Sequence, residues 1–322
     1  MTHELDRALR AAHIDGEVRA NEPLGQHTTL RVGGRAAALV RAESTDALLA
    51  VAAVCRELSV PWLIMGRGSN MLVADDGWHG VAVMLGRGFR GAAMVGSEGD
   101  ELRAAVDVAA GGAEPMPILA NTVAGWHLAG LTFGVAIPGT LGGAVRMNAG
   151  AHGGEMRDVL VAAEVVRLST GTVERIAAED LDMTYRHTTL PGDAVVVSAR
   201  LRLHRVAATS LAAEMAEMRQ WRRDHQPINE PSCGSVFRNP VGDSAGRLIE
   251  AAGMKGHRVG GAQVSRVHAN FITVTPGAHA ADVYQVIHDV AERVERLSGV
   301  RLQTEVVIVG FANNPTHAPG VV

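Results

Sequence analysis

The chain is poor in the groups that mark several functional classes. Aromatic side chains make up only 3% of its 322 residues, leaving few platforms for stacked bases, and a formal net charge of −4 gives no basic footprint. Both absences argue against nucleic acid as a partner. Cysteine is scarce. Cys55 and Cys233 stand far apart in no metal-ligand spacing, so no metal is expected and both read as reduced thiols of a cytoplasmic protein. The N-terminal MTHELDRALRAAHIDG alternates charged and apolar residues and lacks the unbroken apolar run of a secretion signal. Charge is missing from residues 115–145, but Pro115, Pro117, Asn121, His127, Pro138 and several glycines interrupt that stretch. It does not read as a membrane span.

What is present is ordinary globular composition, 47% hydrophobic and 20% charged, in a chain long enough for two or three domains. Its most unusual stretch is Gly134 to Met156, GVAIPGTLGGAVRMNAGAHGGEM, where seven glycines alternate with Val135, Ile137, Leu141 and Val145. Linkers mix glycine with polar residues. Glycine among aliphatic side chains instead suggests a buried backbone pressed against a large flat ligand, or else a tightly turned core loop.

In chain order, residues 3–12 suit a short amphipathic helix and Ala36 to Arg41 a strand. Ser44 is a plausible N-cap for the helix TDALLAVAAVCREL. A short buried strand at Pro61 to Met65 leads into Gly66-Arg67-Gly68-Ser69-Asn70, and apolar Met71 to Ala74 follow. Strand, Gly-rich turn and apolar resumption suggest a main-chain anion cradle that needs no lysine; the alternative is a plain β-turn. Gly86 to Gly91 formally matches the G-x-G-x-x-G dinucleotide fingerprint. That fingerprint requires a helix to begin in the turn, whereas the residues after it read as short strands around a Gly-Asp turn, so the match is rejected. Residues 115–130 read as a helix ending at Gly130, and Val159 to Leu168, Thr172 to Ile176 and Ala194 to Leu203 as strands. Arg186, between them, is either a solvated loop charge or a carboxylate clamp. A helix from Ser210 to Arg223 marks a domain boundary near residue 206. Beyond it come a helix at Ala245 to Ala252 capped by Asp243 or Ser244, a strand at Phe271 to Val274, a helix through Val283 to Leu297 stopped by Gly299, and a strand from Arg301 to Val309 carrying Glu305.

Several spaced motifs give these elements a common meaning: GRGSN at 66–70, IPGTLGGAVRMNAGAHGGE at 137–155, YRHTTL at 185–190, CGSVFRNP at 233–240 and IEAAGMKGHRVGGAQVS at 249–265. Together they resemble the UDP-N-acetylenolpyruvoylglucosamine reductase family, in its subgroup with a compact substrate domain. The resemblance implies an α+β chain with an FAD-binding fold of the vanillyl-alcohol-oxidase (PCMH) type. It would have two α/β subdomains at 1–85 and 86–205 and a smaller α+β substrate domain at 206–322. It also implies non-covalent FAD, NADPH as reductant and a UDP-sugar enolpyruvyl ether as substrate, with the flavin hydride delivered to the terminal carbon of the alkene. It leaves the oligomeric state open.

By the same resemblance Gly66, Arg67, Gly68, Ser69 and Asn70 hold the FAD pyrophosphate, while Gly139, Thr140, Gly143, Asn148 and Gly150 lie along the flavin. Arg186 would hold the enolate-like charge, its planar fork gripping the carboxylate. Ser235 would donate the proton, and Glu305 would position the carboxylate and Arg186 or, if protonated, donate a hydrogen bond. Taken alone, Ser235 reads as a helix cap and Glu305 as an exposed strand carboxylate. Tyr185, Arg223, Asn239 and Lys255 are candidates for the UDP-sugar diphosphate, Arg223 and Lys255 equally surface charges. The chain departs from the family pattern at Arg67, where the loop must adopt a φ that arginine tolerates, and at Thr304, where proline is common. An oxidase of another alcohol on this fold, betrayed by fast reoxidation in air, and a flavin-binding protein without turnover are the competing readings.

Overall fold

The computed structural model describes residues 2–95, 105–206 and 208–311. Its first unit runs α1 (Thr2–Ala11), β1 (Gly16–Pro23), β2 (Arg35–Ala42), α2 (Thr45–Glu57), β3 (Trp62–Met65), β4 (Met71–Val73) and β5 (Trp78–Leu85). The sheet order is β1-β2-β5-β3, with β2 and β3 parallel to β5 and β1 antiparallel at the edge. Ser44 caps α2, its Oγ accepting the Ala47 N–H at 3.3 Å. Leu48, Val51, Ala52 and Cys55 repeat at helical spacing and pack on Val81 and Val83 of the sheet. Strand β1, GEVRANEP, escapes sequence reading because an edge strand with little buried surface needs no apolar alternation.

The second unit comprises β6 (Ala92–Val95), β7 (Ala105–Gly111), α3 (Met116–Gly125), β8 (Leu128–Ala129), α4 (Leu141–Arg146), β9 (Gly150–Ala151), β10 (Gly154–Glu155), β11 (Leu160–Arg167), β12 (Thr172–Ala177) and β13 (Ala194–Arg205). Its antiparallel sheet has the order β12-β11-β13-β7-β6. Helix α3 stops at Gly125 rather than Gly130, because His127 takes a left-handed φ of 60° and turns the chain into β8. The fingerprint at Gly86 to Gly91 opens no α-helix, only a three-residue 3-10 turn at Arg87–Phe89. The Gly88 N–H donates to Glu43 Oε2 at 2.7 Å and the Gly91 N–H to Glu114 Oε2 at 2.8 Å, so carboxylates occupy the places a phosphate would need. The Gly-Asp turn expected at Gly99 and Asp100 lies outside the described residues.

Helix α5 (Ala208–His225) packs on the second unit, with Met215 and Met218 buried beside Ala120 and Val135, and the third unit then holds α6 (Ala245–Ala251), β14 (Arg258–Val259), β15 (Ala262–Val264), β16 (Ile272–Val274), α7 (Ala280–Ser298) and β17 (Val307–Val309). Ser244, rather than Asp243, caps α6 through the Arg247 N–H at 3.2 Å. Val283, Val286, Ile287, Val290 and Val294 of α7 are buried with Ile249, Val264 and Ile272, and Gly299 ends the helix at φ 71°. The chain then runs extended, and a regular strand begins only at Val307 instead of Arg301. Up to that point the segment lies against the 236–238 stretch, through a Thr304–Phe237 bridge and Glu305 N–H to Val236 O at 2.7 Å.

Strand β17 returns to the first unit, pairing in parallel with β4 in the register Val307–Met71, Ile308–Leu72 and Val309–Val73. Leu30, Val32 and Leu72 consequently belong to the same apolar cluster as α6 and α7. Removing the fully buried Leu72 side chain (Leu72→Ala) should therefore cost about 2–5 kcal/mol and weaken the third unit from outside its own sequence. Urea unfolding followed through probes in α7 would show this as a lower midpoint; an unchanged midpoint there would mean that the third unit does not depend on this packing.

Candidate active site

A cavity of about 730 Å³ is lined by residues of all three units. That volume falls within the roughly 300–1,000 Å³ of small-molecule and cofactor sites. One wall is the loop Gly66 to Asn70. Gly68 takes the left-handed φ of 59°, and a Cβ there would stand 2.3 Å from the His27 carbonyl oxygen. Arg67 is not among the positive-φ residues, so its replacement of glycine leaves the loop unstrained at that position. The main-chain N–H groups of Arg67, Gly68, Ser69 and Asn70 find no acceptor among the described residues. Four free donors along one turn can hold an anion.

The Gly-rich segment supplies a second wall, and its glycines divide by what a Cβ would meet. At Gly142 it would come within 3.1 Å of two carbonyl oxygens, and at Gly154 within 2.7 Å of the Phe133 ring, so these are close-packing glycines of the protein itself. At Gly139 and Gly143 the nearest atoms are hydroxyls at 3.4 and 3.6 Å, and both residues border the cavity together with Thr140 and Gly150. Thr140 caps α4, accepting the Gly143 N–H at 3.4 Å. The tight-loop reading thus describes Gly142 and Gly154, while Gly139 and Gly143 border the open cavity. Asn148 lies behind the wall. It is fully buried and not on the cavity, its amide donating to Glu155 Oε2 at 2.9 Å and Thr184 O at 2.8 Å while its Oδ1 accepts the Arg157 N–H. Its contribution is to anchor the turn that carries Arg186.

That turn is closed by reciprocal Thr184 and His187 hydrogen bonds at 3.1 Å, with Tyr185 and Arg186 at its tip. Arg186 has φ 55°, a left-handed conformation that costs a non-glycine residue on the order of 1 kcal/mol. Its guanidinium lies 5.0 Å from the Tyr185 ring centroid. Nε donates to Glu305 Oε1 at 2.8 Å and Nη2 to Gly150 O at 2.8 Å, while Nη1 has no partner among the described residues. Burial raises the Glu305 carboxyl above its ordinary range, against the pull of Arg186 and, more weakly, Arg238. Ser235, on the same cavity, begins no helix, and its hydroxyl has no partner among the described residues. Neither the capping reading of Ser235 nor the exposed-strand reading of Glu305 survives. Cys233 beside it is buried, its thiol pushed up to about 12, and is inert at neutral pH.

At the remaining side of the cavity the sequence candidates fare unevenly. Tyr185 is 45% exposed beside it, and Asn239 lines it while its Oδ1 accepts the Ala245 N–H at the start of α6. Arg223 and Lys255 do not reach it. The last turn of α5 presents Trp221 and Arg222 to the cavity, as does Gln226 just past its end, and the rotation of about 100° per residue puts Arg223 in solvent, bonded to Gln220. Lys255 pairs with Glu250 at 2.9 Å. Sequence reading missed Arg222, whose charge has no carboxylate partner among the described ion pairs, and His152, whose ring meets Trp221 edge to face at 5.2 Å. It also missed Arg146. This arginine is the basic residue nearest the centre of the Gly-rich segment, which was signal enough to single it out; its guanidinium donates to the Pro191 and Ala194 carbonyls.

Comparison with known proteins places the chain in a family. The family model described as UDP-N-acetylenolpyruvoylglucosamine reductase, C-terminal domain, matches residues 226–309, and one described as FAD binding domain matches 36–177. A UDP-N-acetylenolpyruvoylglucosamine reductase of Bacillus subtilis (strain 168) is 39% identical over 92% of this chain and 95% of its own length. One from Synechococcus sp. (strain RCC307) is 42% identical over 94% and 98%. The crystal structure of the corresponding reductase from Thermus caldophilus superposes with a TM-score of 0.76 at 33% identity, covering 92% of this chain and 100% of that one.

Two outcomes follow from the Arg186–Glu305 geometry. Because the backbone at 186 is left-handed, Arg186→Gly should be more stable than Arg186→Ala by about 1 kcal/mol, although both delete the guanidinium; thermal melts with Ala at or above Gly would contradict the strained backbone. Because folding raises the Glu305 carboxyl, the native state holds that proton to higher pH than the unfolded chain does. Stability from this group therefore falls as pH rises from the ordinary carboxylate range through the raised value. The stability of Glu305→Gln relative to the unsubstituted protein should accordingly improve from pH 4 to pH 8 in urea titrations, and a flat difference would sink the assignment.

Proposed function

Because the chain belongs to the UDP-N-acetylenolpyruvoylglucosamine reductase family, it is an FAD-dependent oxidoreductase that reduces UDP-N-acetylglucosamine enolpyruvate to UDP-N-acetylmuramate with NADPH, and we propose that Arg186, Glu305 and Ser235 act together on the alkene in the second half of that reaction. Its FAD-binding region has the vanillyl-alcohol-oxidase type of fold that the motifs implied, which accounts for the unused dinucleotide fingerprint. Reduction of this sugar nucleotide belongs to peptidoglycan precursor synthesis.

The residues present suit FAD. The four unpaired N–H groups of Arg67 to Asn70 match the donors a pyrophosphate needs, and Gly139 and Gly143 leave room for a ring system against the second wall. When bound, FAD takes two electrons as hydride from NADPH and delivers them to the substrate carbon.

The observation that carries the assignment is the half-used guanidinium. With Nε and Nη2 fixed by Glu305 and Gly150, Arg186 is oriented before any substrate arrives, and Nη1 remains for the substrate carboxylate. As negative charge builds on that carboxylate and its neighbouring carbon, the pull of the oriented cation strengthens, which is the differential binding that lowers a barrier. A second carboxylate brought to Arg186 would raise Glu305 further, since like charges close together cannot both ionise cheaply. In the complex we assign Glu305 its protonated form, donating a hydrogen bond. Ser235, with its hydroxyl uncommitted, supplies the proton to the carbon.

Tyr185, Asn239 and, on the structure's geometry, Arg222 are assigned to the nucleotide end of the substrate. We place the protein in the cytoplasm, where NADPH and the sugar nucleotide are made; among the described residues no helix is long and apolar enough to cross a membrane. The test is stopped-flow absorbance of the FAD-loaded protein. Ser235→Ala should still be bleached by NADPH and should recolour with the enolpyruvyl sugar nucleotide about 10²–10⁴ times more slowly. Recolouring at a near-normal rate would remove Ser235 from the mechanism.

A further inference from the structure

The resemblance assigns Asn70 to the cofactor, yet its side-chain amide is committed elsewhere. Asn70 Nδ2 donates to the Glu305 main-chain carbonyl at 3.1 Å, and the Asn70 carbonyl accepts the Val307 N–H at 3.0 Å. The parallel β4–β17 ladder begins at the Met71–Val307 pair, so no strand bond reaches Glu305 from this side. The Asn70 amide extends the ladder by one rung. On the other side the Glu305 N–H is held by the Val236 carbonyl at 2.7 Å. The peptide at Glu305 is thus gripped between the residue after Ser235 and the last residue of the cofactor loop.

We propose that Asn70 is a positioning residue for the Arg186–Glu305 pair: it fixes the Glu305 backbone from the cofactor loop, so that the loop and the carboxylate are held as one piece. The proposal rests on the role given above to Glu305. A second tie runs the same way. The Thr29 N–H donates to Gly68 O at 3.1 Å and the Thr29 Oγ1 to Ser232 O at 2.6 Å, joining the loop to the segment that leads into Ser235. Without the Asn70 amide the Glu305 carbonyl loses its donor, and its peptide keeps only the long Val306 N–H to Val236 O bond at 3.3 Å, so it can tilt and swing the carboxylate away from Arg186. A misplacement of about 1 Å at a catalytic centre costs on the order of 10²-fold in rate.

The test compares Asn70→Ala and the isosteric Asn70→Asp, which keeps the size and loses the donor, with Glu305→Ala and the Asn70→Ala/Glu305→Ala double variant, all as FAD-loaded protein. FAD affinity is read by flavin fluorescence, bleaching by NADPH and recolouring by the enolpyruvyl sugar nucleotide by stopped flow. Recolouring should fall about 10- to 100-fold in both Asn70 variants, at least tenfold more than either bleaching or FAD affinity. On the Glu305→Ala background the Asn70 substitution should have little further effect on recolouring, because coupled residues are non-additive. Equal losses in both half-reactions that track weakened FAD binding, or a full additional loss in the double variant, would make Asn70 a cofactor ligand alone and overturn the proposal. Normal recolouring by Asn70→Asp beside a crippled Glu305→Ala would also overturn it. Normal recolouring by Glu305→Ala would instead refute the role of Glu305, and this proposal with it.

Discussion

The site depends on a guanidinium and a carboxylate taken largely out of water. Arg186 and Glu305 meet at 2.8 Å with side chains only 20% and 15% exposed, and the carboxyl is raised in spite of its partner. Dehydration therefore outweighs attraction, and the pair is not a device for stability. It persists because the surrounding chain gives neither partner an alternative place. The turn carrying Arg186 is tied down by buried Asn148, at the expense of a left-handed backbone, and the Glu305 peptide is gripped from two sides. Strain and dehydration are thus gathered at one point, where they hold the guanidinium in a fixed orientation.

Sequence-distant parts meet there because of strand pairing. Glu305 lies two residues before β17, and β17 pairs with β4, which follows directly on the Gly66 to Asn70 loop. In a strand a slip of one residue turns every side chain to the opposite face. Ile308 is buried in the core of the third unit and Val309 in that of the first, so the pairing that decides which way the carboxylate points is held from both sides. The same pairing carries Leu72 into the core of the third unit. Packing and the placement of the site are in this respect one constraint.

Elements whose signal is local were legible in the sequence. The Ser44 cap, the apolar stripe of α7 and its Gly299 stop, and the failure of Gly86 to Gly91 to open an α-helix each need only neighbouring residues. The site was legible where motifs named residue types, as with Arg186, Ser235 and Glu305 gathered on one cavity. Illegible features are those settled by distant partners. Helix α5 has apolar residues on more than one side, so nothing within it says that Arg222 rather than Arg223 faces the cavity. Asn148 reads as part of the ligand wall until Thr184, Glu155 and Arg157 claim its amide. Helix α4 stayed hidden because glycine disfavours a helix, and only the close approach of the Gly112 and Val196 carbonyls explains a small residue at 142.

The electrostatics of the cavity run opposite to those of the chain. The protein carries a net −4, yet among the described residues that line the cavity Glu305 is the only acid, facing Arg41, Arg67, Arg90, Arg146, Arg186 and Arg222. A concave wall of one sign focuses the field on polyanions, here a dinucleotide cofactor, a dinucleotide reductant and a sugar nucleotide bearing a carboxylate. All six cations are arginine; Lys255, the one lysine in the chain, lies off the cavity, paired with Glu250. At Arg146 burial bears on this. Dehydration lowers that guanidinium to about 10, which leaves it charged at neutral pH. A lysine, starting near 10.4, would be brought by an equal penalty to about 8 and would give up part of its charge where the anions must bind.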